Sequence, residues 1–182
     1  MFRKKAKEKI FTLPQKTENQ LLSVPGPWDV SFQPGRGAPD KIILDNLVSW
    51  TEISDPGVKY FSGTGTYTRT IKAEEIWLNS GNRIWIDLGE LKNLAEVVIN
   101  GQSAGIVWKT PFRLEITNLL KPGDNTLEIK VTNLWVNRLI GDAQPGVIKK
   151  YTYTAIPFYD VGYPLLTSGL LGPVRIMSLE EK

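Results

Sequence analysis

Residues 96–108 read EVVINGQSAGIVW. Val97, Val98 and Ile99 run into Asn100-Gly101, and Ile106, Val107 and Trp108 return. Asn-Gly accepts positive φ at both centres of a type I′ turn, whose twist suits two right-twisted strands. The stretch therefore reads as a β-hairpin, and the residues on either side repeat the signature of strands. Upstream, residues 83–88 set Ile84, Ile86 and Leu88 on one face against Arg83, Trp85 and Asp87. Residues 60–73, YFSGTGTYTRTIKA, are rich in Thr, Tyr and Phe and alternate as a long strand does. Gly63 and Gly65 fall on one face of it, where a close neighbouring layer or a bulge is expected. Downstream, Phe112, Leu114 and Ile116 alternate with Arg113, Glu115 and Thr117. After a turn at 119–125, Leu127, Ile129 and Val131 alternate with Glu128, Lys130 and Thr132.

Further out the same pattern holds. Residues 28–33 (WDVSFQ) read as a first strand with Trp28 in the core, followed by a Gly- and Pro-rich loop at 34–40 and a short apolar run at 42–44. Residues 174–179 close the series. Between them, residues 134–172 are dense in Gly, Pro and aromatics with little periodicity, and long ordered loops of this kind tend to carry function. No stretch of ten residues shows a 3.6-residue period. Short strands at close spacing with turns between them predict an all-β fold, a jelly-roll β-sandwich. Its expected extent is residues 23–182, with the polar residues 1–22 as an N-terminal tail or the end of a preceding domain.

Composition narrows the chemistry. The 182 residues include no His and no Cys, so a thiol nucleophile, a Ser-His-Asp arrangement, a disulfide framework and a Cys/His zinc site are excluded. Only carboxylates, lysines and tyrosines remain as acid–base groups. The net charge of +3 owes much to Arg3, Lys4, Lys5, Lys7 and Lys9, so no basic stripe marks a nucleic-acid partner. No apolar run reaches the ~20 residues of a membrane span, and the basic head is not followed by the apolar core of a signal peptide.

With the strands placed, several stretches resemble the sugar-binding jelly-roll domain of glycoside hydrolase family 2, a galactose-binding-domain-like sandwich. They are 60–67 (YFSGTGTY), 86–97 (IDLGELKNLAEV), 98–101 (VING), 108–112 (WKTPF), 120–127 (LKPGDNTL) and 168–174 (SGLLGPV). Two more, 26–30 (GPWDV) and 133–142 (NLWVNRLIGD), resemble the version at the C-terminal end of bacterial α-L-rhamnosidase-like glycosyl hydrolases. The likeness runs over about residues 25–178, and Phe2-Arg3-Lys4 resembles the end of a strand preceding such a domain. It implies an accessory domain of a larger hydrolase whose catalytic carboxylates lie in a separate barrel. The expected partners are therefore a carbohydrate or that catalytic domain, in the periplasm or outside the cell.

Sugar rings stack on aromatic faces while their hydroxyls need planar polar groups. Trp135 with Asn137, Arg138 and Asp142 gathers both kinds on one loop; the plainer alternative is that Arg138 and Asp142 pin the loop by a salt bridge. Tyr159, Asp160 and Tyr163 lie further along, and by the resemblance 159–168 reaches toward the catalytic domain. Trp108, beside the hairpin, is a further stacking candidate. Glycosidase chemistry needs two carboxyl groups at fixed separation; Asp87, Glu90 and Glu96 sit at turns or strand starts, and no catalytic residue is assigned. Jelly rolls of this kind often hold a structural calcium, but no dense run of Asp and Asn supports one here.

Overall fold

Alternating apolar residues become the two inner faces of a sandwich. The computed structural model describes residues 16–79, 81 and 83–181. Its strands are β1 (Lys16–Ser23), β2 (Trp28–Phe32), β3 (Lys41–Leu44), β4 (Thr64–Ala73), β5 (Arg83–Asp87) and β6 (Glu90–Lys92). They continue with β7 (Leu94–Ile99), β8 (Gln102–Val107), β9 (Arg113–Glu115), β10 (Gly123–Thr132), β11 (Gly169–Gly172) and β12 (Arg175–Glu181). Among the described residues three short α-helices punctuate them, α1 (Pro56–Lys59), α2 (Glu75–Asn79) and α3 (Val136–Asp142), along with 3-10 turns at Trp50–Glu52 and Thr117–Leu119.

One sheet has the order β3-β2-β4-β10-β7-β8, the other β1-β12-β5-β9, and β11 pairs with β6 in a small third. All the strand pairs are antiparallel. β10 lies at the centre of the larger sheet. It pairs with β4 from Gly123 opposite Ala73 to Thr132 opposite Thr64, and with β7 on its other edge. Its Leu127, Ile129 and Val131 are fully buried and meet Ile84, Ile86 and Ile176 of the smaller sheet in one apolar cluster.

The expected hairpin is β7–β8, with φ of 51° at Asn100 and 80° at Gly101. Asn100 does more than turn the chain. Its Nδ2 donates to Asn125 Oδ1 at 2.8 Å and its Oδ1 accepts from Thr126 N, fixing the tip to the start of β10. The long strand β4 begins only at Thr64, because Asp55 caps α1 and Pro56 starts it, leaving residues 60–63 in the turn that follows. Gly65 is required by a close approach: a Cβ there would lie 2.6 Å from the ring of Trp50. Trp50 is fully buried and stacks at 6.4 Å on Tyr67, which meets Trp28 edge-on. Leu170 N donates to the Tyr67 hydroxyl at 3.0 Å, while burial pushes the pKa of that hydroxyl far up.

One boundary is corrected. The expected tail ended at residue 22, but β1 pairs along β12 from Lys16 opposite Glu181 to Ser23 opposite Arg175. Residues 16–22 are therefore an edge strand of the sandwich; the rest of that tail lies outside the described residues.

Candidate functional site

The segment after β10 is held to the sandwich before it becomes a helix. Asn133 accepts from Gly63 N at 3.0 Å and donates to Phe61 O at 2.9 Å, imitating a backbone pair at the head of β4. Ser62 Oγ donates to Leu134 O and accepts from Arg138 N. These bonds set the direction of α3.

On α3 the four-residue spacing brings Arg138 and Asp142 onto one face. Arg138 Nε and Asp142 Oδ1 lie 3.0 Å apart, with side chains only 6% and 5% exposed. Neither atom has a well-aligned hydrogen bond, so the contact is ionic. The other carboxylate oxygen of Asp142 accepts from Tyr151 N, Thr152 N and Thr152 Oγ1 at 2.6–2.8 Å. The Arg138 guanidinium lies 5.2 Å from the Tyr151 ring centre and 5.9 Å from that of Tyr60. Asn137, also buried, donates to Leu166 O and accepts from Leu166 N. Asn137, Arg138 and Asp142 thus engage the protein itself, fastening the long loop at residues 151–152 and again at 166.

Between those fastenings the loop carries its aromatic residues outward. Phe158, Tyr159 and Tyr163 form a ring cluster with centre separations of 5.1 to 6.4 Å. Asp160 Oδ1 accepts from Gly162 N, a turn that shapes the cluster. A cavity of about 360 Å³ lies between α3 and the loop, lined among others by Leu139, Asp142, Lys150, Tyr153, Phe158 and Tyr159. A second of about 400 Å³ is lined by Trp135, Leu139, Tyr151, Thr152, Tyr153 and Thr154. Trp135 is half exposed, with the Arg36 guanidinium 4.6 Å over its ring. Trp108 is 69% exposed beyond the end of β8 and lines neither of these two cavities.

The structure adds Arg36, Tyr60 and Tyr151 to the residues expected from the sequence. The alternation of Tyr151 and Tyr153 with Thr152 and Thr154 was the available signal; nothing local marked Arg36 or Tyr60. Among the other carboxylates, Asp87 is bonded to Arg113 and Gly89 N, and Glu90 pairs with Lys92. The Ser103 hydroxyl, and after it Lys130, hold the Glu96 carboxyl below its ordinary pKa, opposite to what an acid catalyst needs. Among the described residues no group of three or more Asp or Glu side chains could hold a metal ion.

The model of the glycosyl hydrolases family 2 sugar-binding domain matches residues 6–163. The chain belongs to that family. A curated relative from Formosa agariphila, described as a "Putative beta-glucuronidase", is 39% identical across 96% of this sugar-binding domain. A solved rhamnosidase from Novosphingobium sp. PP1Y is 45% identical, with a TM-score of 0.89 over 98% of the domain. A β-D-glucuronidase from Dictyoglomus thermophilum shares the fold at 20% identity and a TM-score of 0.60, over 93% of the domain and 29% of its own chain. The domain spans 17% of the length of each of the first two relatives.

Proposed function

We propose that this sugar-binding domain is a non-catalytic accessory part of a larger, α-L-rhamnosidase-like glycoside hydrolase, supporting and orienting the catalytic domain. The observation that carries the reading is the loop after α3. Ile148, Tyr153, Ile156 and Phe158 are each more than two-thirds exposed, and Val161 and Tyr163 about half. A patch of apolar side chains that is held in shape and left uncovered is characteristic of a surface awaiting a partner. The 45% identity to a rhamnosidase of which the domain spans 17% supports the same reading. The parent enzyme would act in the periplasm or outside the cell, in keeping with the family. Among the described residues no helix is long and apolar enough to cross a membrane.

The test has two parts. The purified chain is expected to hydrolyse neither 4-nitrophenyl α-L-rhamnoside nor the β-D-glucuronide, and to bind a hydrophobic dye. Tyr153, Phe158 and Tyr163 changed together to Ser should abolish dye binding without moving the urea midpoint. Turnover that one carboxylate substitution removes would overturn the reading. The two loop cavities favour a second one, an autonomous carbohydrate-binding module whose affinity is lost on Trp135→Ala.

A further inference from the structure

Arg138 meets Asp142 through one edge only. Its Nε faces that carboxylate, and among the described residues neither Nη1 nor Nη2 donates a hydrogen bond. Of its guanidinium nitrogens only Nε is sealed from solvent without an aligned partner, so Nη1 and Nη2 keep access to solvent. Two glycines make room for them. A Cβ on Gly37 would lie 3.3 Å from Nη1, and one on Gly141 would lie 2.5 Å from Nη2. Gly37, Arg138 and Gly141 line one cavity of about 440 Å³, whose far side is α1.

The charge on these walls is of one sign. Tyr60, Tyr151, Pro56 and Pro145 form apolar sides, and the charged residues that line the cavity are Arg138 and Lys149, with no Asp or Glu among them. The Lys149 ammonium lies 5.0 Å from the centre of the Tyr151 ring, and the Arg138 guanidinium lies 5.2 Å from the same centre. Lys149 is exposed and forms no ion pair among the described residues. Lys59 adds a positive charge 5.9 Å from the Tyr60 ring. The neighbouring carboxylates are engaged elsewhere. Asp142 Oδ2 accepts from residues 151 and 152, and Asp55 Oδ1 accepts from Val58 N at the head of α1. Like charges gathered on apolar walls repel, and an anion offsets that repulsion most where water is scarce.

We propose that this cavity is a socket for one carboxylate, supplied by an acidic side chain of the catalytic domain beside which this chain sits in its parent enzyme. The inference rests on the accessory-domain reading and adds the chemistry of the contact. Nη1 and Nη2 are the fork from which both oxygens of a carboxylate accept. Lys149 adds a point charge at the exposed edge. An aspartate or glutamate reaches in on a short apolar stem, which suits the tyrosine and proline walls. Position favours a side chain over a free ligand. Ile148, fully exposed, lines the same cavity and belongs to the uncovered apolar patch, so a domain that covers the patch stands over the socket. A charge pair at such a contact fixes the register of the two surfaces and excludes wrong partners.

Capped amino acids test the socket on the chain alone. N-acetyl-L-aspartate N-methylamide and its asparagine counterpart differ by the charge of one group. At fixed ionic strength the aspartate probe should move the Arg138 Nε–H signal and the Gly37 and Gly141 amide signals saturably in nitrogen–proton correlation spectra. The asparagine probe should bind at least about tenfold more weakly. Lys149→Gln, at an exposed position that leaves the fold intact, should weaken the aspartate probe about threefold. No response, or an equal response to the two probes, overturns the proposal. Methyl β-D-glucuronide binding at least about tenfold more tightly than the aspartate probe would assign the socket to a free uronate and overturn its part in docking. None of these outcomes touches dye binding by the aromatic loop or the expected lack of turnover, so the socket can fail while the accessory-domain reading stands.

Discussion

Arg138, weighed from the sequence both as a ligand contact and as half of a salt bridge that pins the loop, lies in that salt bridge. Its charge is buried against Asp142, and removing one member of such a pair leaves the other uncompensated. Arg138→Ala should therefore destabilise the domain by about 3 kcal/mol, the low end for buried pairs because Asp142 keeps its three other donors. Urea denaturation reads this directly, and an unchanged midpoint would mean the pair does not hold the loop. Glu96 is the opposite kind of case, an ion pair near the surface. Its pKa is depressed in the folded state by Ser103 first and Lys130 next, so its contribution is full above the ordinary glutamate value of about 4.3 and fades as the pH falls through the folded-state value. Ser103→Ala should move the Glu96 titration back up toward 4.3, about its ordinary value, as followed by carboxyl carbon shifts; no movement would show that Lys130 alone is responsible.

Among the elements, those with a strict period were legible and those without one were not. β7, β8 and β10 could be read because Asn100-Gly101 fixes the turn and Leu127, Ile129 and Val131 alternate without interruption. β1 could not, because as an edge strand it carries Glu18, Asn19 and Gln20 in exposed positions and its pairing is with the far end of the chain. α3 is seven residues long, too short for a helical period to stand out. The site was legible as a place and in the Arg138–Asp142 pair, but not in the rest of its wiring. Asn137, Arg138 and Asp142 were named together, yet their partners at Tyr151, Thr152 and Leu166 depend on how a loop folds back, which no local spacing encodes. The role of β1 is testable. A chain shortened to begin at Ser23 leaves β12 as a bare edge, and such edges recruit other strands. It should self-associate in analytical ultracentrifugation, whereas a stable monomer would show that β1 is dispensable.

Over the whole molecule, the two sheets divide the work. The larger one carries most of the buried apolar residues, including the aromatic group of Trp28 and Tyr67 over which Trp50 closes. The smaller one brings the first and last described strands side by side, Lys16 beside Glu181. Way in and way out thus lie on neighbouring strands, so a polypeptide could leave its course, form this sandwich and resume with little displacement. The same adjacency makes the order of the strands negotiable. A circular permutant that joins residue 181 to residue 16 through a few glycines, and opens between Pro157 and Phe158, should keep the native circular dichroism and melt as one unit, since neither the join nor the opening interrupts a buried strand.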